Sequence, residues 1–288
     1  MPISRDVLLN WPIPEKRHTY TERDTILYAL GIGLGAEDPT SKHELRFTYE
    51  KDLQALPTMA LILGYPGFWF ADPGTGVNWK SLLHGEQGFE NFQSLPTSGT
   101  VIGRTRVTDV IDKGADKGAL VFTERDVLNA ETGELISRLT STSVLRANGG
   151  FGGPAGPVPP VHKLPERSPD HVCDLSTLPH SALLYRLSGD YNPLHADPAV
   201  AEAAKFPRPI LHGMCTFGVA GHALLRTLCN CEAKRLRSMR CRFTAPVFPG
   251  ETIRTEIWVD DEQVSFRSSV PERDVVVLNN GLATLTQG

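Results

Sequence analysis

One stretch dictates the layout of this chain. Between Arg146 and Asp170 runs Ala147-Asn148-Gly149-Gly150-Phe151-Gly152-Gly153-Pro154-Ala155-Gly156-Pro157-Val158-Pro159-Pro160, followed by a polar segment. Proline removes a backbone donor and glycine adds entropy that folding must overcome, so neither a helix nor a central strand survives there. The stretch reads as a linker. It sets residues 1–146 apart as one unit and 171–288 as a second, joined through 147–170.

The two units echo each other. Tyr28-Ala29-Leu30-Gly31 resembles Tyr185-Arg186-Leu187-Ser188, and Leu83-His84-Gly85 parallels Leu211-His212-Gly213. A helical run is expected after each His-Gly, and strands after that. Residues 101–107, 118–123 and 135–145 are β-rich, with turn signals at Lys113-Gly114 and Glu131-Thr132-Gly133. Residues 251–259, 263–270 and 275–285 repeat the plan behind the turn at Pro249-Gly250. The class is therefore α+β, two units of one design. The matched landmarks lie about twice as far apart in the first unit, which carries the extra apolar stretch Leu61 to Phe70. That stretch is either a surface insertion with its own small core or an enlarged mouth for an apolar ligand.

Composition narrows the function. Hydrophobic residues make up 40% of the 288, charged residues 22%, and the net charge is -4. A soluble globular protein fits, and a nucleic-acid surface does not. The basic residues Lys234, Arg235, Arg237, Arg240 and Arg242 are too local to change that, and read as a solvated face or a patch for an anionic ligand. Five cysteines (Cys173, Cys215, Cys229, Cys231, Cys241), without a secretory leader, point to free thiols in a reducing compartment. Cys229-x-Cys231 lacks the spacing of a zinc site. No stretch is long enough to span a bilayer. Leu285-Thr286-Gln287-Gly288 is not a peroxisomal tripeptide address, so the default location is cytoplasmic.

Chemistry gathers in the second unit. The helical segment 182–187 runs into Gly189-Asp190-Tyr191-Asn192-Pro193-Leu194-His195, where Asn192-Pro193 breaks it. Asp190 and His195 then stand on an irregular turn anchored by a rigid element, with Asn192 between them. Asp and His transfer protons, and Asn positions water. Gly-Asp-x-Asn-Pro is also plain turn chemistry, with Asp and Asn bonding their own backbone. Further on, Pro207 and Pro209 precede Ile210-Leu211-His212-Gly213, and an apolar run reaches Leu228. A helix is expected to begin at His212 or Gly213. N–H groups at a helix start lack intrahelical partners and sit at the positive dipole end, and a glycine lets a ligand approach them. This is the build of an oxyanion hole, or of tight packing alone.

Together, Tyr185-Arg-Leu-Ser-Gly-Asp-Tyr-Asn-Pro-Leu-His195 and Ile210-Leu-His-Gly-Met-Cys-Thr216 resemble the signature of the MaoC-like dehydratases. Within that family they resemble the eukaryote-type (3R)-specific 2-enoyl-CoA hydratases, hydratase 2, and Leu83-His84-Gly85-Glu86-Gln87 is similar to the same enzymes' first half. The resemblance covers nearly the whole chain. It implies a double hot dog, each unit a long helix wrapped by a curved antiparallel sheet. It implies an enzyme that hydrates trans-2-enoyl-CoA reversibly, with no metal or cofactor, as a homodimer. It implies Asp190, His195 and Asn192 as catalytic residues and the Gly213 N–H as oxyanion donor. It further implies His84, Gly85, Lys113, Tyr191, Pro193, Leu194 and Phe243 as contacts to an acyl-CoA substrate. Where the second unit has its motif, the first has Gly31-Ile32-Gly33-Leu34-Gly35, with neither Asp nor His. One active site per chain is expected, the first unit binding acyl and CoA.

The rivals are a MaoC-type dehydratase of a carrier-protein or branched hydroxyacyl thioester, a catalytically silent thioester-binding subunit, and a hot-dog thioesterase. Against the silent subunit stands the complete set Asp190, Asn192 and His195. A dinucleotide site at Gly31-x-Gly33-x-Gly35 is disfavoured, because the residues before it look helical and the third glycine falls one position early.

Overall fold

The structure is a computed structural model that describes residues 3–286. The last two residues of the C-terminal segment read above lie outside it. The first unit contributes β1 (Lys16–Tyr20), β2 (Leu82–Asn91), β3 (Gly99–Asp112), β4 (Ala119–Asn129) and β5 (Leu135–Leu145). The second contributes β6 (His171–Ser176), β7 (Leu236–Phe243), β8 (Thr252–Asp260), β9 (Gln263–Val270) and β10 (Val275–Leu285). The helices are α1 (Arg5–Leu9), α2 (Glu22–Gly31), α3 (Leu45–Thr48), α4 (Ser181–Tyr185), α5 (Pro198–Ala203) and α6 (Gly213–Leu228). Residues 146–170 hold no helix or strand.

All ten strands form one antiparallel sheet in the order β1-β3-β4-β5-β2-β7-β10-β9-β8-β6. Read inward from either edge, the two units use their strands in the same sequence, which is the signature of a duplicated fold. They join where β2 pairs with β7, Gln87 opposite Cys241 and Phe89 opposite Met239. Cross-strand charges reinforce that seam: Arg242 meets Glu86 at 2.8 Å and Arg237 meets Glu90 at 3.3 Å. Part of the basic cluster is thus neutralised by its neighbouring strand. The five cysteines are free thiols.

The long helix α6 is buried from Cys215 through Leu225, and one apolar core wraps it with residues from both units. Glycines on α6 let its neighbours close in. A Cβ at Gly221 would lie 2.6 Å from Thr58 Cγ2, and one at Gly218 would lie 2.7 Å from Ile32 Cγ2. This is the double hot-dog architecture, with α2 and α4 as matched elements: the Tyr28 and Tyr185 rings meet at 6.0 Å.

Three sequence expectations are corrected here. His84-Gly85 opens no helix; it lies in β2, a central strand paired on both sides by β5 and β7. Long-range pairing there outweighs the helical preference of Glu86 and Gln87. Leu83-His84-Gly85 is therefore no counterpart of Leu211-His212-Gly213. The segment that precedes β2 as α6 precedes β7 is a 3-10 stretch, Pro57–Ile62, packed on α6. Among the described residues the first unit consequently has no helix longer than the ten residues of α2, because Gly64, Pro66 and Gly67 stop the chain after one short coil. Finally, the 61–70 stretch is no surface insertion. Leu61 and Leu63 belong to the main core, Phe70 to a second cluster with Val107, Val110, Val121 and Leu145, and only Tyr65 and Phe68 are exposed.

Candidate active site

The second unit builds a short irregular path between two helices. After α4, a 3-10 turn over Arg186–Ser188 closes at Gly189, whose φ of 118° lies in the left-handed region glycine favours. The Asp190 carboxylate accepts the Asn192 N–H at 3.1 Å, and the Asn192 side-chain oxygen accepts the Leu194 N–H at 3.1 Å. Pro193 starts the turn Pro193–His195 that Asn192 caps. Turn chemistry thus occupies the Asn192 oxygen, leaving its amide N–H groups free for other contacts. Asp190, Tyr191, Asn192 and Pro193 are exposed, Leu194 is half-buried and His195 is buried.

His195 is fixed through Nδ1, which lies 2.9 Å from the Ile210 carbonyl oxygen. A carbonyl only accepts, so Nδ1 carries the proton and Nε2 presents a lone pair. Burial pushes its pKa below the usual histidine value, which keeps the ring neutral. Its face stacks on His212, ring centroids 3.7 Å apart and planes at 27°. His212 donates from Nε2 to the Asp190 carbonyl oxygen at 3.1 Å, with Tyr185 against its other side at 5.0 Å. Burial, then the neighbouring His195, brings the His212 pKa down to about 4. His212 therefore ties the Asp190 turn to the start of α6.

Asp190, His195 and His212 each offer one donor atom within 4.8 Å of the others. Stacked imidazoles suit a metal poorly. Their lone pairs lie in offset planes, and a zinc about 2.0–2.1 Å from one ring nitrogen, in its plane, falls well outside the plane of the other. A water between the Asp190 carboxylate and His195 Nε2 suits the donors better.

Gly213 is the first residue of α6, so its N–H belongs to the unpaired first turn. A Cβ there would lie 3.3 Å from the Phe243 ring. Phe243 in turn packs 4.8 Å from His84, which brings the first unit to the site. His84 Nε2 faces Gln87 Oε1 at 3.1 Å and Ser141 Oγ at 3.2 Å; the amide oxygen only accepts, so Nε2 carries the proton. Burial is the main cause that holds the His84 pKa down at about 4. Gly85 sits at the β-bulge between His84 and Glu86, where a Cβ would come within 2.9 Å of Val144 Cγ2.

Lys113 is exposed on the turn between β3 and β4, which Asp112 ties down by accepting the N–H groups of Gly114, Gly150 and Gly152. It touches none of the catalytic candidates, but its turn lies at the sheet end where Ala119, Leu145 and Leu82 pair in register. Tyr191 stands at the rim with the Arg186 guanidinium 4.8 Å over its ring. Residues 31–35 of the first unit bring no acid or imidazole, and Gly31 packs on Tyr185. Tyr65, which motif reading passed over, lies near enough to Asp190 to feel its charge. Burial and the nearby Asp190 charge both raise its phenol pKa. No local signal marked it, since it comes from an apolar stretch some 120 residues away in sequence.

A neutral, backbone-anchored imidazole stands beside a carboxylate, opposite a helix start in a double hot dog, an arrangement suited to acid–base chemistry. A MaoC-like domain matches residues 160–280, and the MFE-2 hydratase 2 N-terminal domain matches residues 18–147. "Enoyl-CoA hydratase 2, peroxisomal" of Arabidopsis thaliana is 39% identical over 95% of this chain and 93% of its own. "3-hydroxyacyl-thioester dehydratase Y" of Mycobacterium tuberculosis is 43% identical over 93% and 94% respectively. The crystal structure of a MaoC-like dehydratase from Phytophthora capsici superposes with a TM-score of 0.86 at 37% identity, covering 98% of this chain and 99% of that one. The chain belongs to the MaoC-like dehydratases, in the branch that carries the hydratase 2 N-terminal domain.

Proposed function

We propose that this chain is a hydro-lyase, a (3R)-specific hydratase that converts trans-2-enoyl-CoA reversibly to (3R)-3-hydroxyacyl-CoA in fatty-acid metabolism. The observation that carries the reading is the anchoring of His195 Nδ1 on the Ile210 carbonyl, which leaves Nε2 as a free base beside Asp190. A water held between the Asp190 carboxylate and Nε2 attacks C3 of the enoyl group. Nε2 takes its proton, the C2–C3 π bond breaks, and charge moves onto the thioester oxygen. The Gly213 N–H stabilises that oxygen, a kind of contact worth about 3 kcal/mol of barrier. The enolate then collapses as C2 receives the proton removed from the water, and one water is consumed overall. Asn192 holds the loop in register, and His212 holds the Asp190 backbone.

In this reading the second unit, 171–288, catalyses, and the first, 1–146, binds acyl and CoA. His84, Gly85 and Phe243 frame the thioester, Tyr191, Pro193 and Leu194 form the rim, and Lys113 meets a CoA phosphate. The same reading makes the protein a homodimer, for which light scattering gives the check. Among the described residues no helix is long and apolar enough to cross a membrane. The cytoplasm is the default compartment, with the peroxisome as the alternative that one relative's name brings in. The test is loss of the conjugated ultraviolet band of trans-2-decenoyl-CoA, coupled to a (3R)- or a (3S)-specific hydroxyacyl-CoA dehydrogenase. Signal from the (3R) enzyme alone supports the proposal. No loss with decenoyl-, crotonyl- or branched enoyl-CoA overturns it. The name of the Mycobacterium tuberculosis relative favours the second reading, a dehydratase of another acyl thioester.

A further inference from the structure

The inward face of the first unit's sheet is interrupted by polar residues. Along β4, Ala119 and Val121 belong to the second apolar cluster and Val127 to the main core, while Thr123 and Arg125 lie on the same face between them. The interruption crosses the sheet: Thr123 is in register with Ser141, whose hydroxyl meets His84, and Arg125 is in register with Thr105. Thr105 Oγ1 and Arg125 Nε are both buried without a hydrogen-bond partner.

Arg125 is the anomaly in this band. It is 8% exposed, yet among the described residues no carboxylate pairs with it. Its chain neighbours Glu124 and Asp126 project to the opposite face, where they bind Arg106 and Arg138. Arg125 has only the Leu61 carbonyl oxygen on Nη2, at 2.5 Å, and the face of Tyr65 5.5 Å from its Cζ. A buried guanidinium that keeps its charge without a counter-ion is costly, and an anion brought to it recovers part of that cost. Burial already brings its pKa down to about 10.

The position of this cation gives it a use. His84 stands in the Val121–Ser143 row, and its ring reaches Ser141 beside Thr123, one step of about 7 Å along the inward face of β4 from Arg125. Tyr65 connects the two ends, lying over Arg125 and close enough to Asp190 to feel its charge. Tyr65 is 46% exposed and covers the guanidinium from the solvent side. Lys113 stands at the other end of the same sheet, beyond His84.

We propose that Arg125, covered by Tyr65 and flanked by Thr105, is a subsite for a carboxylate carried on the acyl chain beyond the reacting double bond. The substrates it selects are the CoA thioesters of unsaturated dicarboxylic acids. A planar guanidinium fits a carboxylate with two parallel hydrogen bonds, and the phenol and threonine hydroxyls supply further donors. The proposal rests on the thioester-hydratase reading above and adds the chemistry of the distal end.

The test compares trans-2-enoyl-CoA substrates with their ω-carboxylated counterparts of equal chain length, over a series from short to long. The wild-type protein should show KM lower by about tenfold or more for the carboxylated member at one or two adjacent lengths. Arg125→Gln retains a donor for the Leu61 carbonyl and should bring that ratio close to one. A wild-type ratio near one at every length overturns the subsite and leaves the hydratase reading intact. So does a preference that survives Arg125→Gln. Should that variant fail to fold, the wild-type length series still decides. A protein that hydrates neither series loses both readings.

Discussion

His195 and His212 lie face to face at 3.7 Å, yet each directs its hydrogen bond to a different backbone carbonyl, Ile210 and Asp190. Two imidazoles so close cannot both be charged at modest cost, and burial keeps both pKa values low. The stack thus helps to keep His195 neutral.

Removal of the acid–base groups should abolish turnover without unfolding. Asp190→Asn or His195→Ala is expected to lower kcat by roughly 10²–10⁴-fold. Initial rates on trans-2-decenoyl-CoA, with circular dichroism as the check on folding, measure it. Near-normal turnover in either variant would remove that residue from the mechanism.

His212 should act through position. His212→Phe preserves a ring to stack but takes away the donor to the Asp190 carbonyl, so kcat should fall roughly five- to tenfold, consistent with one lost hydrogen bond of about 1–1.5 kcal/mol. KM should change little. A rise in KM with kcat intact would place His212 in substrate binding instead.

The pH profile follows from neutral His195. Its folded pKa lies below 6.5, so the acid limb of kcat/KM should fall below pH 6.5 and be absent at neutral pH. Stability should show the same sign. His84 and His212 bind protons near pH 4 when folded and near 6.5 when unfolded. Between those values the unfolded chain carries more protons, so stability is complete above pH 6.5 and declines as pH falls toward 4. Thermal melts across that window check it; a Tm that holds constant would mean that these rings are solvated.

Gly213→Ala places a methyl 3.3 Å from Phe243 and against the oxyanion position. We expect kcat lower by about 10²-fold, within the range for a lost oxyanion donor. Phe243→Leu in the same chain should relieve the contact with the ring but leave most of the rate loss, because the methyl still bars the thioester oxygen. Full recovery in the double variant would assign Gly213 to packing alone.

Lys113→Ala should raise KM several-fold and leave kcat untouched, as expected for an exposed charge that meets a phosphate near the surface. Kinetics in low and moderate salt separate this from a loop lysine of no consequence.

The Asp190–His195 turn was legible because its order is local. Gly189, the Asx turns of Asp190 and Asn192, and Pro193 specify their own geometry within seven residues. The start of α6 at Gly213 was legible for the same reason, two prolines upstream and an apolar run downstream. β2 was not, because Glu86 and Gln87 become strand only through partners some 55 and 155 residues away. Nor did the apparent match of His84-Gly85 to His212-Gly213 carry over to the fold: one glycine relieves a bulge and the other begins a helix. Tyr65 and Arg125 carry no motif; the packing of Gly64 against the sheet and the Leu61 carbonyl on Arg125 bring them together.

That packing has a consequence for sequence variants. A Cβ on Gly103 would lie 2.0 Å from the Gly64 carbonyl oxygen, and one on Gly64 would lie 2.7 Å from the Gly103 Cα. The backbone carrying Tyr65 rests on bare β3, with no clearance for a methyl group. An alanine at either position would lift that segment off its seat while Asp190, His195 and Gly213 stayed unchanged in the sequence. Inspection of the Asp190–His195 motif alone would miss such a variant, although the seat of Tyr65 beside Arg125 had gone.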